Sequence, residues 1–213
     1  LETLNIFSEK QNELKNDFYS KQLANICKSL QGAFKGIVGL HKAGFIYDDL
    51  KPDNMMMGPP PKVIDLGACI DITQGGADKS TIASAGYTPN EDVNTQASDV
   101  HKMGLCVAQT LLGEFGNEFV FSISNAKLEQ NGCAQKLREN YKFVPGNKGE
   151  YINNLYNALP GLLKDEQFKD YIPSCYSDAQ LEFLGNLIKD CINFDLRQRP
   201  TSEQMLAIFE QFS

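Results

Sequence analysis

The sequence lacks the features that mark several broad classes of protein. None of its apolar runs approaches the roughly 18–20 residues that a bilayer-spanning helix needs, and no signal-peptide pattern opens the chain. Positive charge is also scarce, because 20 Lys and Arg stand against 27 Asp and Glu and the formal net charge is −7. Nucleic-acid binders carry a basic surface that neutralises phosphates. We therefore expect no membrane span and no nucleic-acid partner.

The cysteines form neither a disulfide scaffold nor a metal-binding pattern. The six of them are scattered along the chain, with no C-x-x-C pair and no Cys/His cluster. Several lie in apolar stretches, where a free thiol behaves as a small core residue. This pattern favours reduced thiols and a reducing compartment such as the cytoplasm. The first residue is Leu1 and not methionine. The N-terminus could therefore be a truncation point and not the natural start of the protein.

The remaining composition is that of a globular domain. Of the 213 residues, 42% are hydrophobic and 22% are charged, which is compatible with one domain. Apolar residues recur at steps of three and four over residues 17–40, which predicts a helix with one buried face that ends at Gly44. We expect two helices ahead of the strands. Short apolar runs predict strands at residues 55–57 and 63–64, and residues 67–97 are predicted to form a long irregular loop.

The second half of the chain is predicted to be helical. One helix is expected to begin near Ser98 or Asp99, either of which could cap it, and its apolar circumference predicts a central position. Further helical stretches are expected near residues 122–141 and 149–165. Two capping boxes predict the starts of the last helices, namely Ser177 with Gln180 and Thr201 with Gln204. The predicted fold class is therefore mostly α with a small β-hairpin element near residues 45–66.

The strongest functional signal is an acidic motif that is followed by a second one. Residues 46–54 read I-Y-D-D-L-K-P-D-N, and Asp65 follows eleven residues after Asn54 within the run V-I-D-L-G. These segments resemble the catalytic loop H-R-D-L-x-x-x-N and the metal loop D-F-G of eukaryotic-type Ser/Thr protein kinases. The spacing suits a loop, a two-stranded hairpin and a second loop, which bring Asp49, Asn54 and Asp65 to one edge.

The resemblance implies a role for each of these side chains. Phosphoryl transfer depends mainly on positioning and on neutralising charge. Asp49 would accept a hydrogen bond from the substrate hydroxyl and orient it toward the γ-phosphate of ATP, and Lys51 would stabilise the transferring phosphate. Asn54 and Asp65 would hold Mg²⁺ that bridges the phosphates. In the family, a lysine at the position of Lys51 goes with Ser/Thr acceptors, so the implied partner is a protein substrate.

Three further segments match the family in the same order. They are G-Y-T-P-N-E at 86–91 for Y-x-A-P-E, S-D-V-H-K-M-G at 98–104 for S-D-V-W-S-x-G, and R-Q-R-P-T at 197–201 for R-x-R-P-T. The first match places Ser84 where the family has a hydroxyl that touches the catalytic Asp and Lys. In the second, a buried Asp99 would bond the backbone of the catalytic loop. In the third, Arg199 would pair with Glu91.

Several residues depart from the family pattern, among them Pro89 and Asn90, which stand in place of A-P. Tyr47 replaces His, and its aromatic ring could fill the same core position. Asp48 replaces the Arg that receives an activation-loop phosphate, so we expect the loop to need no phosphorylation for its ordering. Leu66 stands in place of Phe as a conservative apolar exchange. His101 stands in place of Trp, and we expect it to be a buried helix residue.

The largest departure is an absence ahead of the catalytic loop. No glycine-rich G-x-G-x-x-G and no V-A-I-K precedes Asp49. The sequence therefore predicts a protein kinase-like C-lobe, the helical large lobe, with the N-lobe absent. This domain is expected to span residues 1–213. Within it we expect the catalytic loop at 47–54, the metal loop at 65–67, the activation segment at 65–91 and an expanded helical region at 113–175. We expect an N-lobe segment or a partner chain to complete the ATP site.

Three functions remain open on the sequence alone. Retention of all four implied catalytic and metal-binding residues favours a Ser/Thr protein kinase that uses ATP and Mg²⁺. The missing lobe and the departures in the catalytic loop favour instead a pseudokinase-like scaffold or regulatory binding module that no longer catalyses. The third function, a small-molecule phosphotransferase of related fold, is opposed by the substrate-lobe residues that the later motifs retain.

Overall fold

The structure is a computed structural model that describes residues 2–56, 58–73, 94–123, 132–141 and 148–211, with the backbone alone for residues 2–20 and 148. Seven helices are described: α1 (Glu2–Lys42), α2 (Gln96–Leu111), α3 (Gly113–Ile123), α4 (Gly132–Asn140), α5 (Lys148–Leu162), α6 (Asp178–Cys191) and α7 (Ser202–Glu210). The described strands are β1 (Phe45–Ile46), β2 (Met55–Met56), β3 (Lys62–Val63) and β4 (Ile70–Asp71). Short 3-10 turns lie at Pro52–Asn54, Leu66–Ala68, Lys169–Tyr171 and Leu196–Gln198. The predicted mostly α class with a small β element is confirmed.

The helix that leads to the acidic motifs is one unbroken element. Because α1 runs without interruption to Lys42, the prediction of two helices is wrong. The first 31 residues contain neither glycine nor proline, so no residue that disfavours a helix separates the N-terminal part of α1 from the rest. Gly44 ends it as predicted, with a φ of +82°. A Cβ at this glycine would lie 2.4 Å from Cγ2 of Thr73, so the close approach also requires glycine.

α2 lies at the centre of the helical assembly, as its apolar circumference predicted. It packs against α1, α3, α6 and α7, and most of its residues are buried. The helix begins earlier than predicted, because Thr95 caps it and the Thr95 N–H donates to Ser98 Oγ (2.9 Å). Ser98 and Asp99 therefore lie within the first turns of α2, where both are fully buried.

Two very short antiparallel sheets enclose the acidic motifs. β1 pairs with β4, with Phe45 opposite Asp71, and β2 pairs with β3, with Met55 opposite Val63. In chain order, the catalytic loop follows β1, and the β2–β3 hairpin, the metal loop and β4 come after it. β4 thus lies within the segment 67–97 that was predicted to be irregular, and the β element extends past its predicted limit.

The last two helices begin where their capping signals predicted. Ser177 Oγ accepts the backbone N–H of Gln180 at the start of α6 (3.3 Å). Thr201 Oγ1 accepts the backbone N–H of Gln204 at the start of α7 (3.2 Å). In both boxes the glutamine side chain accepts the N–H of the cap residue in return. Both predictions are confirmed, and α5 lies close to its predicted position.

α3 and α4 depart further from the sequence expectation. The stretch predicted to be helical at 122–141 is divided between α3 and α4, and residues 124–131 lie outside the described part of the chain. Most of α3 was not predicted, and it contains glycines that weaken a helical pattern. A Cβ at Gly116 would lie 1.9 Å from the carbonyl oxygen of Ala108. Glycine is therefore required there because α2 and α3 approach each other closely.

The cysteines and the helix lengths bear on the class of protein. All six cysteines have free thiols, and Cys106, Cys133 and Cys191 are buried. Burial raises the pKa of each of these three thiols above its ordinary value, so they act as core residues. Within the described ranges, no helix combines the length and the apolar character that crossing a membrane requires.

Gly104 offers a test of how closely α2 and α6 pack. A Cβ on this buried glycine would lie 2.4 Å from Cβ of Cys191. We expect Gly104→Ala to lower the free energy of unfolding by about 1–3 kcal/mol because it overpacks the interface, although alanine is the better helix former. Urea unfolding followed by circular dichroism measures the change.

The matched control is a second mid-helix glycine. Gly39 lies on the exposed side of α1, where nothing is within 4 Å of an added Cβ. Gly39→Ala should raise the free energy of unfolding by up to about 1 kcal/mol through helix propensity alone. Stabilisation of similar size at both glycines would contradict the close packing of α2 on α6.

Candidate active site

A buried carboxylate on α2 holds the catalytic loop. Asp99 Oδ2 accepts the backbone N–H of Tyr47 (2.7 Å), and Oδ1 accepts that of Asp48 (2.9 Å). Oδ2 also contacts Nε2 of His41 near the end of α1 (2.9 Å). The other ring nitrogen of His41 contacts Ser202 Oγ at the start of α7 (2.8 Å). Three helices and the catalytic loop therefore meet around one carboxylate.

Asp49 is surrounded by polar residues of its own loop. Its Oδ2 accepts hydrogen bonds from Lys51 Nζ (2.9 Å) and Asn54 Nδ2 (2.8 Å). Asn54 Nδ2 also donates to the carbonyl oxygen of Asp49 (2.8 Å). The 3-10 turn Pro52–Asn54 makes this possible, because it returns the chain so that the asparagine side chain reaches Asp49. The structure thus brings together Asp49, Lys51 and Asn54, all of which the sequence analysis selected for chemistry.

Asp65 lies on the metal loop with an exposed side chain. Its φ is +60°, and its Oδ1 accepts the backbone N–H of Gly67 (3.2 Å) at the start of a 3-10 turn. A Cβ at Gly67 would lie 3.2 Å from the same oxygen, so glycine keeps this turn uncrowded. The Gly67 N–H consequently fixes one oxygen of the Asp65 carboxylate. The side chain is accessible to solvent, where a cation can reach it.

A buried tyrosine connects the two loops. The Tyr47 side chain is fully buried, and its hydroxyl donates to the carbonyl oxygen of Ile64, the residue before Asp65. The Ile64 N–H in turn donates to the carbonyl oxygen of Asn54 (2.9 Å). Burial raises the pKa of the Tyr47 phenol, and the carboxylates of Asp49 and Asp65 act in the same direction. The phenol therefore stays protonated and donates its hydrogen bond between the two acidic loops.

Lys102 belongs to the site but was not predicted from the sequence. Its side chain on α2 is 1% exposed, and its ammonium donates to Asp48 Oδ1 (2.6 Å) and to the carbonyl oxygen of Asp48. Asp48 is itself fully buried, so the two form a buried ion pair. A signal was present in the motifs, because an acid stands in place of Arg at 48 and a lysine in place of Ser at 102. The two exchanges are complementary in charge.

The structure describes only some of the implied substrate-lobe residues. Arg199 donates from Nε to the carbonyl oxygen of Asn193 (2.8 Å) and from Nη1 to that of Ala97 (2.9 Å). It therefore joins the turn after α6 to the start of α2. Ser84 and Glu91 lie outside the described residues. The pairing of Glu91 with Arg199 stays a prediction.

Asn54 and Asp65 can together offer oxygen ligands to a cation. Asn54 Nδ2 donates to the carbonyl oxygen and the carboxylate of Asp49, and the Asn54 side chain also hydrogen-bonds the Tyr47 phenol. Its amide oxygen Oδ1 is the atom of this side chain that could act as a cation ligand. Hard oxygen ligands of this kind suit Mg²⁺, which usually completes its coordination with waters and phosphate oxygens. In the part of the chain that the structure describes, no cluster of three or more His, Cys, Asp or Glu side chains forms a metal site. Asn54 and Asp65 therefore suit a cation that takes its remaining ligands from the phosphates of a bound nucleotide.

Comparison with known domains decides the family. The family model described as "Protein kinase domain" matches residues 4–208. The chain belongs to the protein kinase domain family. Membership implies a kinase-type transfer of phosphate and the use of ATP, and the family generally uses Mg²⁺ with it. None of the curated proteins compared with this kinase domain matches it.

His101 of the kinase domain is a neutral histidine. It lies on α2, and its Nδ1 is buried without a hydrogen-bond partner among the described residues. Burial and then the positive charges of Arg199 and Lys102 lower the pKa of His101 to about 3. The ring is thus uncharged at neutral pH. His101 lies on α2 as expected from the sequence, but the residue is half-buried and not fully buried.

The low pKa of His101 predicts a pH dependence of stability. In the unfolded chain this histidine binds a proton below about pH 6.5, whereas in the folded chain it does so only near pH 3. The unfolded state therefore gains protons first, and stability falls as the pH decreases through this window. Between about pH 7.5 and about pH 5, we expect the wild type to lose about 2 kcal/mol more than His101→Phe.

The measurement is urea unfolding of both proteins at a series of pH values. Phenylalanine keeps an aromatic ring at the position but cannot bind a proton, so the carboxylates contribute equally to both curves. Parallel curves for the two proteins would show that His101 titrates normally in the folded state.

Proposed function

We propose that this kinase domain is the large lobe of a Ser/Thr protein kinase that transfers the γ-phosphate of ATP to a protein hydroxyl. The observation that carries the proposal is the arrangement around Asp49. Its carboxylate is held by Lys51 and Asn54 in a loop that Asp99 fastens to α2. Phosphoryl transfer depends on positioning and on charge, and this loop supplies a positioned acid beside a cation.

Asp49 and Lys51 act on the two reacting groups. Asp49 accepts the hydrogen bond of the acceptor hydroxyl, orients its oxygen toward the phosphorus and takes up its proton. Lys51 Nζ lies 2.9 Å from the Asp49 carboxylate, so its charge is close to the phosphate that is transferred to that hydroxyl. Its side chain is 23% exposed, which lets it contact both the acid and a bound phosphate. The family resemblance at Lys51 favours Ser/Thr acceptors.

Asn54 and Asp65 hold the cation that accompanies ATP. When bound, Mg²⁺ neutralises negative charge on the phosphates. Asn54 offers Oδ1 from the catalytic loop, and Asp65 offers its solvent-accessible carboxylate from the metal loop. The hydrogen bonds of Tyr47 and Asn54 to Ile64 keep these two loops beside each other. The ligand positions are therefore set before the nucleotide arrives.

The other half of the ATP site comes from an N-lobe segment or a partner chain. Ahead of the catalytic loop, the described residues form α1 and β1 and no larger sheet. Two apolar side chains beside the cation-binding residues are exposed, with Leu66 at 57% and Met56 at 45%. Exposed apolar groups next to polar ligands are typical of a surface that another element covers. This supports an additional structural element above the site.

Binding of ATP tests the cation site. We expect calorimetry on the full-length protein to detect ATP binding that depends on Mg²⁺, and we expect Asp65→Ala to abolish it because the mutation removes a charged ligand. Asp53→Ala is the matched control, since Asp53 is an exposed acid of the same region and should bind ATP as the wild type does. Binding of equal strength in Asp65→Ala would contradict the assigned ligand, and absence of binding in the wild type would favour the scaffold function.

Phosphate transfer tests the base. We expect Asp49→Asn to lower kcat by about 10²–10⁴-fold, because the amide cannot take up the hydroxyl proton, whereas Asp53→Asn should stay within about threefold of the wild type. The assay follows labelled phosphate from ATP to a general acceptor protein, and acid hydrolysis of the product identifies the modified residue. Phosphotyrosine as the main product would contradict the Ser/Thr assignment, and unchanged kcat in Asp49→Asn would contradict the base.

A further inference from the structure

Asp48, the residue just before the proposed base, has an unfavourable environment in two respects. Its φ is +61°, in the left-handed region that residues with a Cβ rarely adopt. Its carboxylate is fully buried, and Oδ2 has no hydrogen-bond partner among the described residues. A conformation of this kind persists only where the surrounding structure imposes it.

Two residues of α2 impose this conformation. Asp99 accepts the N–H of Asp48 (2.9 Å). Lys102 donates to the carbonyl oxygen of Asp48 and to its Oδ1 (2.6 Å). Because Asp99 and Lys102 are three residues apart, they lie on the same face of the helix. Residue 48 is thus held at both its N–H and its carbonyl group, which restrains the backbone angles on both sides of its Cα.

The buried pair reverses the charges that the family resemblance implies at these positions. The resemblance gives an arginine at 48, which receives a phosphate from the activation segment, and a serine at 102. Here the positive charge belongs to α2, and Asp48 neutralises it inside the core. Since both groups are buried and bonded to each other, neither is available to a phosphate from outside.

We propose that Lys102 is a positioning residue of the kinase domain. With Asp48 it forms an internal clamp that holds residue 48 in the left-handed conformation and thereby aims Asp49 at the acceptor hydroxyl, without help from a phosphate. The role given to Asp49 rests on the proposed function. The effect of the clamp on the backbone of residue 48 does not rest on the proposed function, and this effect can be measured without an assay of catalysis.

The clamp makes a prediction that an ion pair with a purely stabilising role does not make. In a Lys102→Met background, Asp48→Gly and Asp48→Ala both remove the buried carboxylate that has lost its partner. Glycine adopts a φ near +61° without strain, whereas alanine keeps a Cβ that opposes it. If the pair serves to hold this backbone, glycine should restore the loop and alanine should not.

Hydrogen exchange followed by mass spectrometry compares Lys102→Met and the two double variants with the wild type. We expect the amides of residues 49–54 to exchange about tenfold faster than in the wild type in Lys102→Met and in Lys102→Met with Asp48→Ala. Lys102→Met with Asp48→Gly should return to within about threefold. The control is Lys164→Met, which breaks an exposed ion pair with Glu182 (2.8 Å) and should leave these amides unchanged. Equal exchange in the two double variants would overturn the proposal.

Catalysis by the full-length protein gives the second readout. We expect kcat to fall about 10–100-fold in Lys102→Met and in the alanine double variant, with KM for ATP within about twofold, because only the aim of Asp49 changes. The glycine double variant should recover most of kcat. Equal recovery by alanine would overturn the proposal. A wild type that transfers no phosphate would defeat the proposed function instead, and the exchange measurement would still decide the clamp.

Discussion

The arrangement of the site depends on the hydrogen bonds of one buried carboxylate. Asp99 is removed from water, and a charge in that position is tolerated only where donors replace its hydration. The N–H groups of Tyr47 and Asp48 and the ring of His41 supply those donors, and His41 is itself held by Ser202. None of these partners can move without leaving a charge or a donor unsatisfied. The position of the catalytic loop is therefore tied to the packing of α1, α2 and α7.

This dependence on the helices follows from how little the strands can contribute. Each described strand has two residues, and an isolated pair of this length is not stable in water. The two sheets therefore exist because the helices hold their ends: β1 follows directly from α1, and α1 packs along β3. The loops between them gain their shape from side chains, since Tyr47 bonds Ile64 and Asn54 bonds Asp49. A helical domain can in this way present two rigid loops at one edge without a large sheet beneath them.

The features that could be predicted from the sequence are those that a local rule governs. The capping boxes of α6 and α7, the glycine that ends α1 and the apolar circumference of α2 each express a preference of a few adjacent residues. The spacing of Asp49, Asn54 and Asp65 belongs to the same kind, because a loop and a short hairpin separate them. What escaped prediction depends on contacts between distant segments. Lys102 meets Asp48 across 54 residues, and β4 exists only because β1 lies beside it. A lysine within an apolar helix gives no local sign of the partner that keeps it buried.

The residues beneath the two loops are buried and bonded, whereas side chains above the loops are exposed. Beneath the loops, Asp48, Asp99 and Lys102 are buried and bonded to one another or to the backbone. Above the loops, the apolar side chains Leu66 and Met56 are exposed. Folding has thus already fixed the groups to which we assign catalysis, so a nucleotide that binds need not order them again. On the proposed function, an additional structural element above the site contributes closure over the nucleotide and exclusion of water, while the core of the domain sets the direction of the Asp49 carboxylate.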